Sequence, residues 1–107
     1  MPNTFTQLYI HVVFTVQGRQ NLLPESHREE IQKYIGGIIR NKGNKLFAIS
    51  CMTDHVHVLI GLRPSCSVAD AVKDIKSNAS RFINSKQWIK GEFRWQEGYG
   101  AFSNSHS

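Results

Sequence analysis

The chain has 107 residues, 40% of them hydrophobic, which suffices for one domain over 1–107 with a modest core and is too short for a second. Thirteen Lys and Arg against eight Asp and Glu give a formal charge of +5 and a pI near 9.5, so a polyanionic partner is favoured, nucleic acid foremost. No apolar run approaches the roughly 20 residues that cross a membrane, and Met1-Pro2-Asn3-Thr4 lacks the basic and apolar regions of a secretion signal, so a cytoplasmic protein with no membrane partner is expected.

Thr6 to Val16 alternates, with Ile10, Val12, Phe14 and Val16 on one face and Tyr9, His11, Val13 and Thr15 on the other, which predicts a central strand. After a loop over Gly18 to Pro24, Ser26-His27-Arg28-Glu29 has the Ser-x-x-Glu form of a capping box. Ile31, Tyr34, Ile35, Ile38 and Ile39 then recur at helical spacing up to Gly43, interrupted by Gly36-Gly37 for no reason visible in the sequence. Lys45 to Met52 reads as a second strand that turns at Thr53-Asp54 into a third ending near Leu62, together a hairpin. Ser67-Val68-Ala69-Asp70 predicts the start of a second helix. Its apolar stripe is Val68, Ala71, Val72, Ile75, Ala79, Phe82 and Ile83, leaving Lys73, Lys76 and Asn84 outward. Trp88 to Glu97 is irregular, and a short strand is expected from Gly100 to Ser105. Cys51 and Cys66 lack metal-ligand spacing and read as reduced residues of a strand and a loop.

The order β-α-β-β-α-β predicts an α+β fold of the ferredoxin-like type, an antiparallel sheet with two helices on one face and the other face open. In Asp54-His55-Val56-His57-Val58-Leu59-Ile60 the alternation of a strand sends Val56, Val58 and Ile60 into the core and both histidines onto the open face. Two same-face imidazoles can grip a divalent ion such as Mn, Co, Ni or Zn, although two ligands leave a site incomplete; they can equally be surface histidines of a half-exposed strand. If the first and third strands are neighbours, His11 shares that face and could hold a ligand histidine in place.

Four co-linear segments carry a resemblance. Tyr9-Ile10-His11-Val12-Val13-Phe14, Thr53-Asp54-His55-Val56-His57-Val58-Leu59, Lys76-Ser77-Asn78-Ala79-Ser80-Arg81 and Trp95-Gln96-Glu97-Gly98-Tyr99-Gly100-Ala101-Phe102-Ser103 together resemble the small single-tyrosine transposases of the HUH class (His, hydrophobe, His), which include the REP-associated tyrosine transposases. The resemblance implies a homodimer that binds a DNA hairpin near each end of a mobile element. It also implies cleavage of single-stranded DNA by a tyrosine hydroxyl through a covalent phosphotyrosine, with His55 and His57 holding a divalent metal, Mg or Mn. In that family a Gln four residues after the tyrosine, on a C-terminal helix, completes the metal site.

Here the chain departs from the pattern. Its only tyrosines are Tyr9, Tyr34 and Tyr99, and none has Gln four residues on, so the nucleophile is expected beyond Ser107. A truncated gene, a remnant that kept DNA binding, and a nucleophile from another chain all remain open; in each, the isolated chain is expected to bind metal weakly and not to cleave. Lys73, Lys76, Arg81, Arg94 and Trp95 are the candidate DNA-binding residues, joined by Lys86, Lys90 and Trp88 and more weakly by Arg19 and Arg40. A solvated helix face and two core tryptophans are the structural alternative. The same frame also serves RNA-recognition modules, so a non-catalytic nucleic-acid-binding domain is the other functional reading; the expected open-face positions carry histidines, not paired aromatics.

Overall fold

The computed structural model describes residues 8–18 and 23–103. In chain order it contains β1 (Leu8–Thr15), a 3-10 turn (Glu25–His27) leading into α1 (Arg28–Asn41), β2 (Lys45–Cys51), β3 (His55–Leu62), α2 (Val68–Lys86) and β4 (Gly100–Ser103). The strands pair antiparallel in the order β2-β3-β1-β4. This is the expected ferredoxin-like arrangement, with β1 and β3 central. Thr6, Asn104 and Ser105, predicted as strand, and Arg19 lie outside the described residues. No helix among the described residues is long and apolar enough to cross a membrane.

The alternation in β1 and β3 sets the layers. Ile10, Val12, Phe14 and Val16 join Val56, Val58 and Ile60 in one buried cluster with Ile31, Ile35 and Ile39 of α1 and Ala71, Val72, Ile75, Ala79 and Ile83 of α2. Burying each such aliphatic side chain contributes about 1.5–3 kcal/mol, so this face fixes the register, and with it the residues on the opposite face.

The two helices begin differently. Ser67 caps α2 as its sequence predicts, its hydroxyl accepting from the Asp70 amide at 3.1 Å. Ser26 does not cap α1. It sits inside the 3-10 turn, and the extended backbone that a capping residue needs falls at Pro24 (φ −66°, ψ 129°), which has no side-chain acceptor. Arg28 secures this end of α1 instead, donating through Nε and Nη2 to the Leu23 carbonyl, both at 3.1 Å.

Gly36 has a packing reason that the sequence does not show: a Cβ there would lie 3.0 Å from Leu46 Cδ2, because α1 presses its backbone onto β2. Gly37 has open space around it. In β2 a bulge between Leu46 and Ala48 leaves Phe47 without a ladder partner and turns its ring outward against Tyr9, with centroids 5.1 Å apart.

After Gln87, in the left-handed conformation (φ 56°), the chain is irregular as expected, yet it is firmly tied. Asn84 donates to the Phe93 carbonyl at 3.1 Å and accepts from the Phe93 amide at 2.7 Å. Lys76 Nζ donates to the carbonyls of Gln96 and Gly98, both at 2.8 Å. The expectation that Lys76 and Asn84 simply face solvent is therefore corrected: α2 uses both to fasten the segment leading to β4.

Candidate functional site

The open face of β1 and β3 carries the histidines. Residues directly opposite each other in the ladder share a face, and the pairs here are Thr15 with His55, Val13 with His57 and His11 with Leu59. His11 is thus a diagonal neighbour of His57. The rings of His55 and His57 stand edge to face with centroids 4.8 Å apart, and those of His11 and His57 are 5.3 Å apart. The closest nitrogens are His57 Nδ1 and His11 Nε2, at 3.2 Å. A depression of about 220 Å³ opens between these two rings, walled by Ala48, Ser50 and Leu59.

The electrostatics assign a tautomer and a charge. Asp54, at the hairpin turn, accepts from His55 Nδ1 at 2.7 Å, and this bond holds its carboxyl below the usual carboxylate range. The hydrogen bond leaves His55 Nε2 as the free nitrogen. His57 is held below the ordinary histidine value, first by loss of hydration and then by the neighbouring charges of His55 and His11, so it is neutral at pH 7 and offers a lone pair. Among the described residues no group of three or more His, Cys, Asp or Glu side chains is arranged to hold a metal ion. Asp54 was quoted in the sequence motif without a role; its place immediately before a strand histidine was the available signal.

A groove of about 700 Å³ runs between α2 and the 92–99 segment and gathers Lys73, Lys76, Arg94, Trp95 and Tyr99 with Glu92 and Glu97. Arg81 is outside this lining and is held by Asn78 Oδ1 at 3.1 Å. Arg94 is exposed and pairs with Glu92 at 3.0 Å. Burial lowers the pKa of Lys76, with Glu97 opposing the shift. Trp95 is packed edge-on against Phe14 and Phe93, both at 4.8 Å, and its indole N–H donates to the Lys76 carbonyl at 3.0 Å, the geometry of a core tryptophan. Trp88 stacks on His27 at 3.9 Å. Lys86 pairs with Glu30 at 3.4 Å, while Arg40 and Lys90 are exposed.

A second concavity of about 450 Å³ lies between the 96–99 segment and Val13 and Thr15 of β1. Residues Gln96, Glu97, Gly98 and Tyr99 wall both hollows, so one short segment separates the basic groove from the strand beside the histidines. Three open-face aromatics complete the surface, Tyr9, Phe47 and Phe102, the last 62% exposed beside His11. The sequence reading missed them as a group, because Phe47 reaches this face only through the bulge and Phe102 only through its pairing with His11.

The architecture is a ferredoxin-like antiparallel sheet with two helices on one face and a His-x-His strand on the other. The chain belongs to the IS200-like transposase family, whose profile matches residues 4–107. The fold is shared with a protein assigned as a transposase from Deinococcus radiodurans R1, at a TM-score of 0.84 and 23% identity over 98% of this chain and 85% of that one. It is also shared with a REP-associated tyrosine transposase solved bound to a REP hairpin, at a TM-score of 0.71 and 12% identity over all of this chain and 62% of that one. No curated protein matches the sequence.

Proposed function

We propose that this domain binds single-stranded DNA beside a hairpin and forms the metal-holding half of a DNA cleavage and rejoining centre, working as a homodimer. The observation that carries the reading is the histidine pair His55 and His57 on the bare sheet face of a transposase-family chain. The hairpin bound by the REP-associated relative supports the choice of DNA structure.

The donor set fits a divalent ion. His57 is held towards its neutral form, and His55 is oriented by Asp54 with Nε2 free, so each imidazole can present a nitrogen to the ion. Nitrogen donors suit Mn better than Mg. A divalent ion bound there would polarise the scissile phosphate and stabilise the departing oxygen. Lys73 and Arg94 in the groove, and Arg81 beyond it, contact phosphates; Lys76 and Trp95 shape the groove wall rather than meeting the bases.

The nucleophile is assigned to a tyrosine other than Tyr9, Tyr34 and Tyr99. Tyr9 packs on Phe47, Tyr34 stacks on Phe82 in the helical layer, and Tyr99 lines the groove. Attack by such a phenol oxygen forms a tyrosine–phosphorus bond at the new 5′ end, breaks the phosphorus–O3′ bond and leaves a 3′ hydroxyl, a step that reverses without ATP.

Gel-shift titration of the chain with hairpin-bearing and unstructured single strands tests the reading. Tighter hairpin binding, falling with salt and weakened by Lys73→Ala and Arg94→Ala, is expected, with no covalent adduct on a denaturing gel in Mn. Equal binding to both strands overturns the hairpin assignment, and an adduct overturns the external tyrosine. One observation favours a second reading. Tyr9, Phe47 and Phe102 offer the open face as a stacking platform for unpaired bases, and a purely binding module would hold DNA equally well with and without EDTA.

A further inference from the structure

We propose that His11 is itself a metal ligand, forming with His57 a prepared two-nitrogen edge for a borderline divalent transition ion. The inference rests on the reading of the open face as a metal-dependent DNA-processing site and adds a ligand from a different strand.

The argument begins with the separation of 3.2 Å between His11 Nε2 and His57 Nδ1. Two imidazole nitrogens each 2.0–2.1 Å from one ion stand about 2.9 Å apart in octahedral and about 3.3 Å apart in tetrahedral geometry, so the two rings already hold a ligand spacing. The side chains come from adjacent strands at diagonal positions of a ladder fixed by the buried face of β1 and β3, so the spacing does not depend on a loop.

Space points the same way. The 220 Å³ depression is lined by His11 and His57 and not by His55. At about 30 Å³ per water it has room for an ion with several waters. Its other walls, Ala48 and Leu59 with the Ser50 hydroxyl, offer no competing charge. His55 stands beside His57 with its Nδ1 given to Asp54 and lies outside the depression, so water or a DNA phosphate oxygen takes the remaining positions of the edge.

Without metal, one of the two facing nitrogens carries a proton and donates to the other. With metal, both lone pairs turn to the ion, His57 keeps its proton on Nε2 and His11 keeps its own on Nδ1. The proton balance is internal. Only the donor ring changes tautomer, moving its proton to the nitrogen away from the ion, and no redox step is involved.

The test uses the 107-residue chain and Co(II) as the probe, with affinity read from visible absorption and ligation from contact-shifted exchangeable imidazole N–H resonances. His11→Ala is expected to weaken Co(II) at least tenfold and to remove one shifted N–H resonance, as is His57→Ala. His11→Phe separates ligation from packing, since its ring can still lie against His57 while offering no donor atom to Co(II); it is expected to be as weak as His11→Ala. Circular dichroism of each variant confirms the fold. Wild-type affinity in His11→Phe, or an unchanged set of shifted resonances in His11→Ala, overturns the proposal, as does a wild-type chain that binds no Co(II) at millimolar concentration. Loss confined to His55→Ala and His57→Ala likewise overturns it while leaving the proposed function standing. Hairpin binding measured in EDTA reports on that function separately.

Discussion

Asn84→Ala should destabilise the domain by about 3 kcal/mol, because Asn84, which lines the groove away from the histidines, fastens the groove wall. Its amide makes two hydrogen bonds to one residue, donating to the Phe93 carbonyl at 3.1 Å and accepting from the Phe93 amide at 2.7 Å. Phe93 is 1% exposed, so water cannot readily replace either partner. A typical hydrogen bond contributes about 1 kcal/mol net, and a buried polar group left unpaired costs about 1–3 kcal/mol; two orphaned backbone groups, partly relieved by local relaxation, give the estimate. For a domain of this size that corresponds to a fall in Tm of roughly 15 °C. Urea unfolding followed by tryptophan fluorescence measures it. Asn84→Asp, which keeps the acceptor and loses the donor, should lie between the alanine variant and wild type. A loss below about 0.5 kcal/mol in Asn84→Ala, the ordinary scatter of surface substitutions, would refute the claim that this side chain anchors the groove wall.

Gly37→Ala should stabilise by about 0.5–1 kcal/mol in urea unfolding, since an alanine Cβ there meets nothing within 4 Å and glycine is costly inside a helix. Gly36→Ala should show no such gain, because its Cβ would press on Leu46 Cδ2 at 3.0 Å; equal gains at both positions would contradict the close approach of α1 to β2. Burial pushes the Cys51 thiol from an ordinary 9.0 up to about 11, against a smaller opposing effect of the Arg28 charge. The folded chain therefore keeps a proton that the unfolded chain loses, so stability should fall as pH rises from about 9 towards 11. Cys51→Ala should flatten this part of the stability curve, and a slope that persists unchanged would assign it elsewhere. In the folded chain at pH 8, iodoacetamide should modify Cys66 first, as read by mass spectrometry.

Much of the fold was legible because its signals are periodic. Burial alternates residue by residue from Tyr9 to Val16 and from His55 to Ile60, and the sequence pattern follows it. What the sequence hid depends on contacts between distant segments. Ser26 has the form of a cap, but Pro24 takes the backbone conformation that a cap requires. Gly36 looks like a weakness until Leu46 is placed against it. Lys76 and Asn84 lie on the polar side of a helical wheel, which predicts solvent, and only the returning 93–98 segment shows what they hold. The histidines were placed correctly on one face, whereas the 3.2 Å approach of His11 to His57 needed the register of β1 against β3.

The 92–99 segment connects the two halves of the proposed chemistry. Its amides and carbonyls extend the β1 ladder past Thr15: Gln96 N–H donates to the Thr15 carbonyl at 2.7 Å, and Gln17 N–H to the Arg94 carbonyl at 2.9 Å. Thr15 lies opposite His55 in the sheet, so the same strand end carries a site wall on one side and the groove segment on the other. A strand of DNA held by Lys73 and Arg94 would have to cross only Gln96 to Tyr99 to reach the hollow beside Val13 and Thr15. Lys76 fixes the height of that crossing through two carbonyls, and its remaining N–H leaves little capacity for phosphate. Under the proposed function its role is therefore positional: Lys76→Met should weaken hairpin binding by loosening the segment while leaving the salt slope nearly unchanged, whereas Lys73→Ala should lower the slope by about one counterion. Gel-shift titrations at several salt concentrations read both, and a lowered slope in Lys76→Met would show direct phosphate contact and reverse the assignment.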